Sequence, residues 1–280
     1  MSTSCSSYPI LHQRLSCIRG HSPDVKFPRI LGIEAVGLVE EAPGGEFKKD
    51  DVVATAMGGM GRQFDGGYAE YTCVPVNQVQ VIKTKLSWEL LGALPEMMNT
   101  AWGCLFKSLR LQKDDHLLIR GGTTSVGLAA AAIAKSLCAS VAVTTRKPER
   151  EGMLKAHGAD EVYIDDGSIA EEIQKRHPEK YSKILELVGV TTLADSMKCA
   201  QDNGIVCGAG IAGGKWVFEN FYPNAVIPTS VCLTTFSSSV GQFMATPLEQ
   251  IARQVVEGTI KIPIKTYSLD RIVEAHQTSK

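Results

Sequence analysis

Between Leu117 and Lys135 the chain reads LLIRGGTTSVGLAAAAIAK. An apolar run meets paired glycines and passes at once into a stretch of Ala, Leu and Ile. Strand, tight turn and helix in that order predict one local geometry. Backbone N–H groups of the turn and the helix N-terminus face a common point, which suits a pyrophosphate. In the G-x-G-x-x-G pattern of such turns the matching positions are Gly122, Thr124 and Gly127. The first glycine permits the turn, and the last permits close packing of helix on strand. The central position, where glycine lets a backbone approach phosphates, holds threonine. The hydroxyls of Thr123, Thr124 and Ser125 are expected to donate in compensation. The same residues also suit a glycine-softened connection in an α/β sheet with no ligand, so the surroundings must decide.

Those surroundings repeat the pattern. Leu128 to Leu137 is almost entirely Ala, Leu and Ile, as expected of a helix pressed on a sheet. A second strand, Ser140 to Thr145, follows and is succeeded by Arg146 and Lys147. An NAD site places Asp or Glu at this strand end to hold the ribose 2′-hydroxyl. Two cations there suit a 2′-phosphate and favour NADP(H). Arg146 also fits a solvated charge leading into a helix. Strands are predicted near 117–120, 140–145, 160–164, 183–188 and 204–209, with helices near 126–138, 148–157, 168–177 and 191–200. Pro148 suits a helix start and Gly158 a helix end. Alternating β and α units with short connections predict an α/β fold with a doubly wound parallel sheet.

The part before residue 95 differs. Residues 33–41, 51–56, 68–75 and 78–82 read as short strands, separated by Pro43-Gly44-Gly45 and the glycine-rich stretch 58–67. Residues 263–280 read as a strand and then a helix. The expected division is a β domain over 1–95, a dinucleotide-binding domain over 96–245, and a return segment to the β domain over 246–280. The boundary is expected between Lys85 and Asn99.

Composition narrows the classes of function. The chain has 280 residues, of which 44% are hydrophobic and 21% charged, with a net charge of −1. At that length roughly 75% of the unfolded surface is buried on folding. The charge balance speaks against a nucleic-acid footprint or a polybasic membrane patch. No apolar run is long enough to span a bilayer, and the first residues lack an apolar signal core. The expectation is a cytoplasmic protein. Its eight cysteines form no C-x-x-C pair, so they are expected to be reduced, several as small core residues.

The motifs LGIEAVGLVEEAPG (31–44), DGGYAEYTCVP (65–75), NTAWGCLF (99–106), RGGTTSVGLAAAAIAK (120–135), LKAHGADEVYIDD (154–166) and LELVG (185–189) are individually loose but ordered. As a set, spanning residues 15–280, they resemble the medium-chain dehydrogenase/reductase superfamily, most closely its zinc-independent quinone oxidoreductase branch. The resemblance implies a GroES-like β domain and a Rossmann domain, with NADPH held in the cleft between them. It implies hydride transfer to a quinone, an enone or a related activated alkene or carbonyl. It assigns cofactor contacts to Thr100, to Gly121, Gly122, Thr123, Thr124, Ser125, Val126 and Gly127, and to Thr145, Arg146 and Lys147. Val188, Gly189, Gly208, Ala209, Gly210 and Ile211 are assigned to the nicotinamide side.

Zinc-dependent relatives carry Gly-His-Glu where this chain has Gly32-Ile33-Glu34. Isoleucine cannot ligate zinc, and the four-cysteine cluster of those relatives is absent. Glu34 with Glu96, at the position of a later ligand, makes a poor zinc set, so no metal is expected. Glu34 reads better as a buried or hinge carboxylate bonded to backbone. Against the family pattern the chain is short at both ends, which implies an incomplete β domain with unpaired sheet edges.

Three functions follow from this reading. The first is an NADPH-dependent reductase working without zinc, chiefly by holding cofactor and substrate face to face. The second is a shortened homologue that binds NADPH but does not turn over. The third is a zinc alcohol dehydrogenase. No side chain stands out as a proton donor. Tyr68 and His21 are the candidates, although Tyr68 also reads as an ordinary strand residue. His157 and His177 sit at helix ends and are expected at the surface. The partner is a small electrophile, and the resemblance implies a homodimer paired through the Rossmann sheet. Residues 215–239, rich in aromatics, suit a pocket lining, a dimer edge or core.

Overall fold

The computed structural model describes residues 2–3 and 25–278, so the candidate His21 lies outside it. The chain divides into two compact units. One holds the described residues of Met1–Asn99 with Ser238–Gly258 and Pro263–Lys280, and the other holds Thr100–Ser237 with Thr259–Ile262.

In the first unit, β1 (Ser2–Thr3), β2 (Glu34–Leu38), β3 (Val52–Ala56) and β4 (Val79–Val81) form an antiparallel sheet in sequential order. Val39, Val53 and Val79 pack together, joined by Ala42, Phe47 and Val74. The expected strand over 68–75 does not form. The N–H groups of Gly66, Gly67 and Tyr68 donate to the carbonyls of Ile30, Gly32 and Leu31 instead. The segment therefore lies across residues 30–34 rather than extending the ladder. Glycine is required for that crossing: a Cβ on Gly66 would stand 2.1 Å from Gly32 O, and one on Gly67 2.1 Å from Glu34 O. Two helices follow, α1 (Trp88–Gly92), capped by Ser87, and α2 (Pro95–Trp102). The expected strand after Pro263 is also absent, and a helix over Ile272–Thr278 ends the described chain.

The second unit is a six-stranded parallel sheet of β5 (His116–Arg120), β6 (Ser140–Thr145), β7 (Glu161–Ile164), β8 (Tyr181–Glu186), β9 (Ala200–Gly208) and β10 (Cys232–Thr235). Its spatial order is β10-β9-β8-β5-β6-β7. Counted from β5, that is the 3-2-1-4-5-6 arrangement of a Rossmann sheet, read from the far edge. Helices α3 (Ser125–Ser136), α4 (Glu151–Ala156), α5 (Ala170–Arg176) and α6 (Leu193–Lys198) connect the strands. Along the apolar run read in the sequence, α3 is buried on every face, from Gly127 to Ala134. Small side chains there let the helix axis approach β5 and β6 closely. On the sheet, Leu118, Ala142 and Ile184 lie side by side in register, and Tyr163, Tyr181, Ile173 and Met197 complete that core.

Two features of this unit were not expected from the sequence. The sixth strand, β10, lies inside the aromatic segment, while Trp216, Val217, Phe221 and Tyr222 stay exposed. Residues Gly103–Ser108 continue α2 as a widened π-helical turn. The two helix-end histidines are half-buried rather than free at the surface. His157 Nδ1 bonds Met153 O at 2.7 Å, and His177 Nε2 lies 2.7 Å from Glu161.

Candidate functional site

Strand order reverses between β5 and β8, which leaves a crevice at their carboxyl ends. The glycine turn sits there. Gly121 adopts φ +89°, a conformation costly for other residues, and a Cβ on it would lie 3.2 Å from Leu187 Cβ. Gly122 passes so close to β6 that a Cβ would reach 2.7 Å from Val143 Cβ. A Cβ on Gly127 would be 2.6 Å from Gly121 O. The positive φ of the turn thus falls on Gly121, one residue before the first glycine of the pattern, while Gly122 and Gly127 are positions of close approach.

Thr124 does not have the role read in the sequence. Its Oγ1 donates to Gly121 O at 2.8 Å and accepts the Gly127 N–H at 3.0 Å. The side chain caps α3, and its proton is already committed, so it is not an added donor for phosphate. The N–H groups of Ser125 and Val126 open the first turn and have no intrahelical partner. They are backbone donors that the turn offers.

The expected residues that follow β6, β8 and β9 lie at the carboxyl ends of those strands. Gly122 N–H donates to Thr144 O, and Asp165 N–H to Thr145 O. Thr145 is buried, and its Oγ1 accepts the Lys147 N–H at 3.2 Å. Arg146 and Lys147 are exposed, and neither enters an ion pair among the described residues. After β8, Val188 and Gly189 meet the loop after β9. Ala209 and Gly210 N–H groups donate to Glu186 O, and Gly213 N–H to Val188 O. A Cβ on Gly210 would stand 2.1 Å from Leu187 O, whereas one on Gly208 meets nothing within 4 Å. Ile211 is half-buried beside them. Thr100, in α2, is half-buried at the start of this unit.

The sequence reading missed the group beneath those strand ends. Arg120, last in β5, is wholly buried. Its Nε and Nη2 form a fork on both oxygens of Asp165, at 2.8 and 2.9 Å. Its Nη1 donates to Asp195 at 2.7 Å, Ser196 Oγ at 3.1 Å and Thr192 O at 3.3 Å. Ser196 Oγ in turn donates to Glu186. Burial raises the Glu186 carboxyl above its ordinary pKa, against the pull of those bonds. The Arg120 fork outweighs burial at Asp165 and holds its pKa below the usual value. The only sequence signal is an arginine closing an apolar strand, since a buried cation requires acids nearby.

The first unit holds the other candidates. Glu34 is buried, and its Oε2 accepts the Glu96 N–H at 2.7 Å, the backbone bond expected of it. Burial, reinforced by the charge of Glu96, pushes its pKa up to about 8. Tyr68 is half-buried, its ring edge-on to His276 at 5.9 Å.

Known proteins agree with this architecture. An alcohol dehydrogenase GroES-like domain matches residues 6–84, and a zinc-binding dehydrogenase domain matches 125–252. The quinone oxidoreductase of Lama guanicoe is 26% identical over 265 residues, covering 92% of this chain and 77% of its own. The acryloyl-coenzyme A reductase of Metallosphaera sedula is 25% identical over 215 residues, covering 68% and 62%. The structure of Escherichia coli quinone oxidoreductase complexed with NADPH superposes with a TM-score of 0.85 at 20% identity, over 99% of this chain and 85% of that one. The chain belongs to the medium-chain dehydrogenase/reductase superfamily, in its quinone oxidoreductase-like branch. Its first unit is the GroES-like domain and its second the Rossmann domain. It is an oxidoreductase.

Proposed function

We propose that this oxidoreductase uses NADPH to reduce a quinone, an enone or a related activated alkene or carbonyl, without zinc. The observation that carries the reading is the crevice at the β5–β8 switch point. A glycine cradle opens there with two N–H groups that have no intrahelical partner, beside two cations at the end of β6 that enter no ion pair among the described residues. The fit to a dinucleotide is specific. The close approach at Gly122 draws the turn tight against β6, and that at Gly127 packs the start of α3 on Gly121, so backbone rather than side chain faces the phosphates. Arg146 and Lys147 follow β6 where a ribose 2′-phosphate is read, and neither is neutralised by a carboxylate among the described residues.

NADPH bound there supplies the hydride. The chain supplies the rest. Gly121 to Gly127 hold the pyrophosphate, with the N–H groups of Ser125 and Val126 as donors. Val188, Gly189, Gly208, Ala209, Gly210 and Ile211 shape the nicotinamide side, and Thr100 is a further cofactor contact. The open space over Gly208 leaves room for a ring that Gly210, packed on Leu187, does not. Rate enhancement then rests on orienting the two reactants. Tyr68 remains the candidate proton donor.

The donor set fits zinc poorly. Ile33 supplies no ligand, and Glu34 Oε2 is already engaged by the Glu96 N–H. A steady-state assay tests the proposal. Purified protein is expected to consume NADPH with an ortho-quinone or an enone, saturably in both reactants. A folded protein that oxidises an alcohol with NADP+ only after zinc addition, and reduces neither acceptor, would overturn it.

A further inference from the structure

We propose that Arg120 is a positioning residue, whose buried polar network fixes the backbone on both sides of the dinucleotide site. The inference rests on reading the Gly121–Gly127 turn as that site.

The network has two arms. One runs from the guanidinium to Asp165, whose Oδ2 also accepts the Thr144 hydroxyl at 3.1 Å. Thr144 Oγ1 in turn accepts the Gly121 N–H at 3.1 Å, so this arm ends on the turn itself. The other arm runs through Ser196 Oγ to Glu186 Oε2. The second oxygen of Glu186 accepts the Val188 and Gly189 N–H groups at 2.7 and 2.9 Å. This arm ends on the loop assigned to the nicotinamide side. Between them, Asp195 receives Arg120 Nη1 and also accepts the Ile169 N–H at 2.8 Å, which ties the start of α5 to the same cation.

Arginine suits this place for a stated reason. A planar fork can serve Asp165 in a bidentate way and still aim its third nitrogen at Asp195 and Ser196. Lysine, a point charge, can meet one arm but not both. The positions so held are Gly121, Val188 and Gly189, two of them glycines at positive φ (+89° and +104°) whose backbone is otherwise loosely determined. Arg120 touches no proposed cofactor atom. It acts through the backbone it orients.

This role differs from that of Arg146, and the difference gives the test. Arg146 is placed to distinguish NADPH from NADH. The network holds features common to both cofactors, so loosening it must weaken both together. Ser196→Ala cuts one arm and leaves Arg120 paired with both aspartates. It is expected to raise the Kd of NADPH and of NADH by the same factor, about tenfold, with the ratio between them unchanged. Glu186→Ala is expected to do likewise. Glu186→Gln keeps an oxygen for the two N–H groups, but its amide nitrogen cannot accept the Ser196 proton, so it is expected to recover only part of the affinity lost in Glu186→Ala. Arg120→Lys should fall between wild type and Arg120→Met. Circular dichroism and thermal melting report which variants are folded. Should the Arg120 variants not fold, Ser196→Ala and the Glu186 pair still decide the matter. A folded Ser196→Ala and a folded Glu186→Ala that bind both cofactors as wild type does would overturn the inference. A change in the NADPH/NADH ratio would also overturn it. Failure of the wild type to bind either cofactor would instead remove the reading on which it rests.

Discussion

Glu34 Oε2 accepts the backbone N–H of Glu96 at 2.7 Å, while its other oxygen has no partner among the described residues. A carboxyl so placed resists ionisation: burial chiefly, and the Glu96 charge secondarily, raise its pKa to about 8. Between the ordinary value of 4.5 and about 8 the folded chain holds a proton that the unfolded chain has released. Stability therefore falls as pH rises through that window, with a slope approaching about 1.4 kcal/mol per pH unit. Glu34→Gln, neutral at every pH, is expected to flatten this slope and to exceed wild-type stability at alkaline pH. Melting temperatures measured from about pH 5 to about pH 9 check it. Parallel curves for the two proteins would remove Glu34 as the source.

Arg146→Ala is expected to weaken NADPH binding by about tenfold or more, the loss of a charge-assisted contact. NADH should be nearly unaffected, because it carries no phosphate for Arg146 to meet. Fluorescence titration of both cofactors gives the ratio. Equal loss for the two would assign Arg146 to the solvated surface.

Gly208, the last residue of β9, and Gly210, in the loop after it, sit two residues apart, yet their substitutions should behave differently. Alanine at Gly210 places a Cβ against the Leu187 backbone, which cannot yield as a side chain can. Gly210→Ala is expected to destabilise by about 1–3 kcal/mol or more in urea denaturation. Alanine at Gly208 meets open space and should leave stability within about 0.5 kcal/mol. The same methyl intrudes where the nicotinamide is proposed to lie, so Gly208→Ala should raise the KM for NADPH in a protein of normal stability.

Thr124→Ala removes the cap on α3 and should cost about 1 kcal/mol. Thr124→Ser keeps both bonds of the hydroxyl and should cost much less. A serine variant as unstable as the alanine variant would mean that the threonine methyl, rather than the cap, carries the effect.

The Rossmann unit was legible because its signals are local. Alternating apolar runs of five or six residues, glycines at turns and the small-residue helix after Gly122 each act within a few positions. The GroES-like unit was legible only in part. Residues 68–75 have a strand-like pattern, but Gly66 and Gly67 send the chain across residues 30–34, a contact that pattern does not encode. β10 was hidden among aromatic residues because its neighbour β9 is distant in sequence. The Arg120 network escaped for the same reason. Its partners Asp165 and Asp195 lie 45 and 75 residues away, and an arginine at a strand end reads as exposed until they are in place. Thr124 shows the converse. Its hydroxyl was visible in the sequence, but only the folded turn shows that α3 has already claimed it.

The proposed activity is NADPH-dependent reduction by this chain's own residues without zinc. The most direct measurement is the rate of NADPH loss when chelator-treated protein meets a quinone or an enone. The predicted result is saturable turnover that the chelator leaves intact, that added zinc does not raise, and that NADH supports less well. Turnover that vanishes with the chelator and returns with zinc would contradict the account, as would a folded protein that binds NADPH and never consumes it.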